Sequence, residues 1–234
     1  MQELKSSLRI RDLVHGFVYL TDVEVAVINH PLFQRLRNIR QNDVASYVYP
    51  SMNTSRFEHS LGCLSVAGRM ALNILSGQHW SDFSKVTGMD GAEFQQVCRL
   101  YAMLHDILHL PLSHLFEVAF DDYIKTLKPE PSLEAVCGEW FGGKGFAKLH
   151  EAAGAVLPEI ILREANVPEA ITQTVVQLMG SKKVDPAEPR RPMKLLIDFE
   201  IDADRIDSTA RDGLLAGGEY GNFDIDRLCR SVFL

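Results

Sequence analysis

Three segments that lie far apart in the chain carry the residues that most constrain its fold. They supply two imidazoles and two carboxylates: His59, the adjacent pair His105 and Asp106, and Asp204. Neutral imidazole and carboxylate oxygen are ligands that suit Fe, Mn, Zn or Co, and four of them leave coordination positions for water and a phosphate oxygen. The sequence therefore predicts a fold that brings these three segments to one metal ion.

Taken alone, each part of this set has an ordinary structural explanation. His105 next to Asp106 fits a core histidine beside a capping or surface carboxylate. Neighbouring residues on a helix differ by about 100° in direction, so both can bind one ion only if it lies between their side chains. His109 follows His105 by four residues, and Pro111 then bends the chain away from the helix axis. The complete ordered set favours the metal site.

Composition narrows the class of protein further. A chain of 234 residues with 46% hydrophobic content is within the range of one large domain. A net charge of −7 argues against a general nucleic-acid-binding surface. The four cysteines are widely scattered, without a CxxC motif, which favours a reduced cytoplasmic protein. The N-terminus lacks an apolar signal region, and no apolar run approaches the roughly 20 residues that span a bilayer.

Hydrophobic periodicity predicts a mostly helical chain. Helices are expected at 31–39, 57–75, 91–104, 114–127, 150–165, 169–179 and 202–212. Two β-prone pieces, 16–20 and 46–50, are expected to form a small hairpin or isolated strands. The polar, glycine-rich or proline-rich stretches 76–91, 128–145 and 182–191 are interpreted as loops inside one domain.

Four groups of residues resemble, in the same order, the motifs of the HD-domain phosphohydrolases, and in particular the dNTP triphosphohydrolases. The groups are Gln34-Arg35-Leu36-Arg37, Arg56-Phe57-Glu58-His59-Ser60-Leu61-Gly62, His105-Asp106-Ile107-Leu108-His109-Leu110-Pro111-Leu112-Ser113-His114, and Asp202-Ala203-Asp204-Arg205 with Ala210-Arg211-Asp212. The resemblance covers about residues 10–223. It implies an all-α HD-domain helical fold with at most a small β-hairpin, in a single domain of residues 1–234. Whether a C-terminal extension found in relatives is missing stays open.

The resemblance also implies roles for individual residues. His59, His105, Asp106 and Asp204 are expected to bind one divalent transition metal, with Mg²⁺ accompanying the nucleotide as a further option. The expected catalytic residues are His109, His114, Glu117 and His150, and the expected substrate-binding residues are Gln41, Arg56, Arg205 and Asp212. For Asp202 and Asp207 there are two interpretations, groups that support the metal ligands from behind or solvated helix carboxylates, and the second is preferred.

Physical chemistry supports two of these roles. Glu117 lies three residues after His114 on a predicted helix, where it can hold the imidazole in one tautomer and raise its pKa for proton donation. An exposed helix pair is the alternative. Arg56 offers a planar fork of donors to phosphate oxygens, one helical turn before His59, and a surface salt bridge is the alternative.

The function implied is hydrolysis of a dNTP to a deoxynucleoside and triphosphate by a cytoplasmic homo-oligomer, with a nucleotide as substrate and neither membrane nor nucleic acid as main partner. Three departures from the family pattern keep alternatives open: Leu108 stands at a glycine position, Ser208 at a tyrosine position and Asn29 at an aspartate position. The alternatives are a phosphomonoesterase or phosphodiesterase acting on another nucleotide, and a nucleotide-sensing or assembly module without turnover.

Overall fold

Helices form nearly all of the regular structure in the part of the chain that is described. The computed structural model describes residues 4–127, 135, 156–180 and 188–232, except the side chains of Ser113 and His114. The strands are β1 (Leu8–Asp12) and β2 (Gly16–Leu20). The helices are α1 (Asp22–Asn29), α2 (Pro31–Gln34), α3 (Arg56–Ser76), α4 (Trp80–Thr87), α5 (Gly91–Leu104), α6 (Ser113–Thr126), α7 (Leu157–Glu164), α8 (Glu169–Gly180), α9 (Arg191–Leu195), α10 (Ala203–Ala216) and α11 (Ile225–Arg230), with short 3-10 helices at Arg35–Asn38, Ala45–Tyr47 and Glu219–Gly221. The predicted all-α fold with one small hairpin is confirmed.

A capping box fixes where α3 begins. The Ser55 hydroxyl accepts a hydrogen bond from the Glu58 backbone N–H at 3.4 Å, and the Glu58 carboxylate accepts one from the Ser55 N–H at 2.8 Å. This reciprocal pair satisfies two N–H groups that the first turn of a helix would otherwise leave unpaired. The Arg56 N–H also donates to the Ile39 carbonyl at 2.8 Å. The capping box and the hydrogen bond to Ile39 together fix the first turn of α3, which carries Arg56 and His59.

The hydrophobic core positions the end of α5. Helix α3 packs against α5 and α10, and their contacting faces are buried. Leu61, Leu64, Leu100 and Leu104 are among the largest fully buried side chains. Burial of each contributes roughly 1.5–3 kcal/mol relative to exposure. Because α5 ends at Leu104, the core delivers the following His105-Asp106 pair to the side of α3.

The hairpin differs from the one expected. β2 pairs antiparallel with β1, in the register Leu8 with Leu20 and Asp12 with Gly16. The predicted strand at 46–50 is wrong, because this stretch forms the 3-10 helix Ala45–Tyr47 and turns. Tyr47 and Val48 are 83% and 75% exposed. A β-prone sequence forms a strand only where a neighbouring strand or a core offers it a partner.

Helix boundaries account for the remaining differences. The helix predicted at 31–39 divides into α2 and the 3-10 helix Arg35–Asn38, and the loop predicted at 76–91 contains α4. The helix predicted at 150–165 is described only as α7, and the loops predicted at 128–145 and 182–191 lie mostly outside the described residues. Within the described residues, no helix combines the length and the apolar character that crossing a bilayer requires.

Candidate metal and phosphate site

The structure brings together the four side chains expected to bind a metal. His59 Nε2 lies 3.0 Å from an Asp204 oxygen and 3.6 Å from an Asp106 oxygen. His105 Nε2 lies 3.5 Å from Asp106 and 3.9 Å from Asp204. With metal–ligand bonds of about 2.1 Å, ligand atoms at right angles are about 3.0 Å apart and opposite ones about 4.2 Å apart. All four separations fall in this range, although His59 and His105 lie nearest to different oxygens of Asp106.

His105 gives the most direct sign that these side chains fit a metal ion. Its Nδ1 lies 2.7 Å from the Ala102 carbonyl, an acceptor, so Nδ1 must carry the proton. In the neutral ring, which is the form that binds a metal, Nε2 is then an acceptor, and it is buried without a hydrogen-bond partner among the described residues. A carbonyl that fixes the tautomer and leaves the other nitrogen as a lone pair is the usual arrangement behind a metal-binding histidine.

His59 is fixed from behind by Asp207, which the sequence had led us to interpret as a solvated carboxylate. That interpretation is wrong: Asp207 is fully buried, and its carboxylate lies 2.8 Å from His59 Nδ1. It lies 2.6 Å from His15 Nε2, and it accepts two hydrogen bonds from Arg211 at 2.8 and 3.0 Å. Arg211 also donates to Asp12 of β1 at 3.0 Å. The hairpin therefore supports the candidate metal site through a buried network.

The network explains the ionisation of its members. Burial opposes a charge on Asp207, but His15, His59 and Arg211 hold its pKa far below the ordinary value. Burial also opposes a charge on His59, but Cys63, Asp204 and Asp207 raise the pKa of this imidazole well above the ordinary value. The pKa of Asp204 is lowered, because His59 and His105 outweigh its burial. Without a bound ion, the proton on His59 thus offsets part of the carboxylate charge, and a metal ion would have to displace that proton.

Gly62 explains how Asp207 comes so close to α3. A Cβ atom at Gly62 would overlap the Asp207 carboxylate and approach the Arg211 guanidinium. The glycine of the Arg56–Gly62 motif is thus required by the approach of α10 to α3, because no other residue leaves this space.

Asp202 was also interpreted as a solvated carboxylate, and it too is buried. Its carboxylate caps α10, accepting hydrogen bonds from the Arg205 N–H at 2.9 Å and the Phe199 N–H at 3.0 Å. This cap fixes the first turn of α10, in which Asp204 lies.

Arg56 and His109 surround Asp106. The Arg56 guanidinium donates to one Asp106 oxygen, and His109 Nε2 lies 3.1 Å from the other. Burial opposes the charge of Asp106, but the neighbouring histidines, His105 first, and Arg56 hold its pKa well below the ordinary value. Arg56 is only 3% exposed, which excludes the surface salt bridge. Arg35 donates to the carbonyls of Ile107 and His109 and so holds the turn that carries these groups.

Cys63 offers a further possible metal-ligand atom that the sequence interpretation missed, although it lies one helical turn after His59. Its sulfur, with His59, His105 and Asp204, belongs to a group whose ligand atoms all lie within 4.8 Å of one another. The sulfur is almost equidistant from His59 Nε2 and Nδ1, at 3.5 and 3.7 Å. It therefore lies beside the ring and not in line with the Nε2 lone pair. Burial raises the pKa of the Cys63 thiol to about 12.

A cavity of about 810 Å³ opens over this cluster. Its lining includes Arg56, Asp106, His109 and Asp204, together with Gln41 of the expected substrate-binding residues. Such a volume suits a small organic ligand.

The other predicted residues lie in different surroundings. Asp212 lies behind the lining and accepts a hydrogen bond from Asn42, which lines the cavity, at 2.6 Å. Arg205 is exposed and donates to the Glu200 carbonyl at 3.2 Å, away from the cavity. His114 and Glu117 lie on α6, Glu117 half-buried, with the His114 side chain outside the described residues. His150 also lies outside the described residues.

Two of the three departures from the family pattern, Leu108 and Ser208, do not line the cavity. Leu108 has no positive φ, and its side chain belongs to the hydrophobic core, so the glycine of the family is not required at this position. The left-handed residue of this loop is Leu112 instead, at φ 66°. Ser208 donates to the Arg205 carbonyl at 3.3 Å and does not line the cavity.

The fold and the site together define an HD-domain protein. The family model described as "HD domain" matches residues 56–212, from Arg56 at the start of α3 to Asp212 on α10. The chain belongs to the HD-domain phosphohydrolase family.

Individual relatives extend the likeness over most of the chain. The uncharacterized protein MJ1154 of Methanocaldococcus jannaschii is 29% identical over 95% of this chain and 37% of its own length. Human deoxynucleoside triphosphate triphosphohydrolase SAMHD1 is 34% identical over 52% of this chain and 18% of its own length. The crystal structure of the phosphohydrolase BT4208 from Bacteroides thetaiotaomicron matches with a TM-score of 0.68 and 25% identity, over 97% of this chain and 47% of that one. The chain thus spans less than half the length of these relatives.

Proposed function

We propose that this chain is a metal-dependent phosphohydrolase that acts on a nucleotide, with dNTPs as the substrates that the resemblance implies. The observation that carries the proposal is the convergence of His59, His105, Asp106 and Asp204 beside Arg56, at one cavity. The products from a dNTP would be the deoxynucleoside and triphosphate. The same resemblance leads us to propose a homo-oligomer, which light scattering after gel filtration tests.

The four converging side chains would hold one divalent ion, and HD domains bind such ions. A bound ion supplies positive charge that polarises a phosphate ester and acidifies water. Arg56 contributes a second, fixed positive charge, because it is buried and Asp106 holds its guanidinium at the cavity wall. Its planar fork suits two oxygens of one phosphate.

Proton transfer falls to the histidines in this proposal. His109 lines the cavity, and the 3.1 Å contact of its Nε2 with Asp106 fixes the ring beside the candidate metal site, where it is proposed to orient a phosphate or the nucleophile. His114, supported by Glu117, is proposed to protonate the leaving oxygen, and His150 to add a donor near the phosphates. These assignments rest on motif position.

The organic part of the substrate would lie farther along the cavity. Gln41 is proposed to contact the sugar, and Asp212 to act through Asn42. Arg205 is proposed as a phosphate contact on motif position alone, since its guanidinium points to the Glu200 carbonyl.

Product analysis tests the proposal. Purified protein is incubated with Mn²⁺, Fe²⁺, Co²⁺ or Zn²⁺ and individually with dNTPs, nucleoside monophosphates and cyclic nucleotides, and products are separated by ion-exchange chromatography. Triphosphate and deoxynucleoside from a dNTP support the proposal. Orthophosphate from monophosphates or opening of a cyclic diester assigns one of the other phosphohydrolase reactions, and no product with any substrate favours a sensing module. His105→Ala should lower hydrolysis, because it removes an expected metal ligand; His79→Ala is its matched control, because His79 is exposed and does not line the cavity.

A further inference from the structure

Three consecutive polar residues, Gln41, Asn42 and Asp43, form one wall of the same cavity. The Gln41 N–H donates to the Thr54 carbonyl at 2.9 Å, two residues before Arg56. This pairing places the beginning of the wall next to the phosphate-binding arginine. If a phosphate binds at Arg56, the wall lies next to the group that is bonded directly to that phosphate.

The far side of the wall is tied to α10. Asn42 donates to Asp212 at 2.6 Å. Asp212 follows Asp204 by eight residues on this helix, which corresponds to about 12 Å along the axis. The wall thus extends from Arg56 to a point roughly two helical turns away from the candidate metal site. A sugar attached to a phosphate at the metal would lie against it.

Two oxygens of this wall stand out. Gln41 Oε1 and Asp43 Oδ1 are buried, and neither has a hydrogen-bond partner among the described residues. Leaving a buried acceptor unpaired is costly, so such atoms usually have a ligand or water partner. An amide can present either its oxygen or its nitrogen, but a carboxylate only accepts. Asp43 therefore fixes the chemistry of its partner, which must be a hydrogen-bond donor.

The backbone at Asp43 is left-handed, with a φ of 43°. Aspartate adopts this region more readily than most residues other than glycine and asparagine, so the conformation adds only a small argument for a ligand-binding role to that of the buried oxygen. A carboxylate would repel phosphates, so Asp43 suits the uncharged half of the substrate.

We propose that Asp43, with Gln41, accepts hydrogen bonds from the two adjacent hydroxyls of a ribose, so that the cavity takes ribonucleotides and binds them better than their 2′-deoxy counterparts. Two acceptors match the two donors of a ribose, whereas 2′-deoxyribose offers one. This preference rests on the proposed function, because it requires a nucleotide phosphate at the metal. It adds ribonucleotides to the dNTPs that the resemblance implies.

The test compares matched pairs, ATP with dATP and GTP with dGTP, by kcat/KM. An unpaired buried acceptor costs roughly 5- to 150-fold in an equilibrium constant, so the wild type should favour the ribonucleotide by a ratio in that range. Asp43→Gly fits the positive φ and removes the acceptor of the 2′-hydroxyl, so the ribonucleotide loses a hydrogen bond, the deoxynucleotide no longer leaves an acceptor unpaired, and the ratio should fall toward one. Asp43→Asn keeps an acceptor oxygen and should retain a ratio above that of the glycine variant.

Asn166→Gly is the matched control. Asn166 has a φ of 56° and is exposed, and it does not line the cavity, so the same kind of change there should leave the ratio unchanged. A wild type that favours the deoxynucleotide in both pairs, or an Asp43→Gly variant with the wild-type ratio, overturns the sugar proposal. If neither sugar is hydrolysed, the proposed function fails. The ratio of dissociation constants for the same pairs, measured by calorimetry, then decides the sugar proposal in the same way.

Discussion

Replacing Asp207 by asparagine tests whether the buried network behind His59 supports the site. The carboxylate is the acceptor for four contacts of 2.6–3.0 Å, from His15, His59 and twice from Arg211. Asparagine keeps one oxygen but presents an N–H₂ group to side chains that are themselves donors. It also leaves the Arg211 charge in the interior with Asp12 as its remaining carboxylate partner.

Breaking a buried ion pair by changing one partner costs about 3–5 kcal/mol. For a chain of this size each kcal/mol lowers Tm by roughly 2–4 °C, so Asp207→Asn should lower Tm by roughly 6–20 °C. Metal affinity should fall about 10- to 100-fold, because His59 loses the group that orients it. Differential scanning calorimetry and metal titration measure the two effects.

Asp226→Asn is the control, because Asp226 forms an exposed pair with Arg69 at 3.1 Å and should cost at most about 1 kcal/mol. The reasoning is refuted if Asp207→Asn unfolds within a degree or two of that control and binds metal as tightly as the wild type. If Asp207→Asn does not fold, His15→Gln removes one contact of the network and should show the same two effects in smaller measure.

Three further substitutions probe neighbouring parts of the site. Gly62→Ala should lower the free energy of unfolding by at least about 1–3 kcal/mol, because the new methyl group overlaps the Asp207 carboxylate. A urea midpoint equal to that of the wild type would contradict the close approach of the two helices. Arg56→Lys keeps the charge but loses the fork, so kcat/KM for a triphosphate should fall in steady-state assays; equal kinetics would remove the proposed phosphate contact. His114→Ala should retain metal while kcat falls about 10²- to 10⁴-fold, with a smaller effect for Glu117→Gln, and loss of metal would show that the proposed proton donor is wrong.

Sequence reasoning predicted the helices that carry the site. The helix predicted at 57–75 from hydrophobic periodicity differs from α3 (Arg56–Ser76) by one residue at each end. The pattern around Asp204 likewise predicts α10, although its end at Ala216 lies beyond the predicted one. These signals are local, so they can be read from one segment.

The contacts between segments could not be predicted in the same way. Asp207 has polar neighbours on its own helix, and nothing local shows that His15 of the hairpin turn lies against it. The strand at 8–12 was not predicted, and 46–50 was predicted as a strand instead, because no local signal shows which segment 16–20 pairs with. Asp43 had no motif to mark it, and only its φ and its buried oxygen single it out.

The metal content of purified protein tests the central claim most directly. His105 is the best position to change, because its Nδ1 contact is a single carbonyl and its Nε2 has no hydrogen-bond partner among the described residues. The account predicts about one transition-metal ion per wild-type chain by elemental analysis, the same for His79→Ala, and a clear loss for His105→Ala with an unchanged circular dichroism spectrum. Full metal occupancy in His105→Ala, or a wild type that binds no divalent ion when supplied with one, would contradict it.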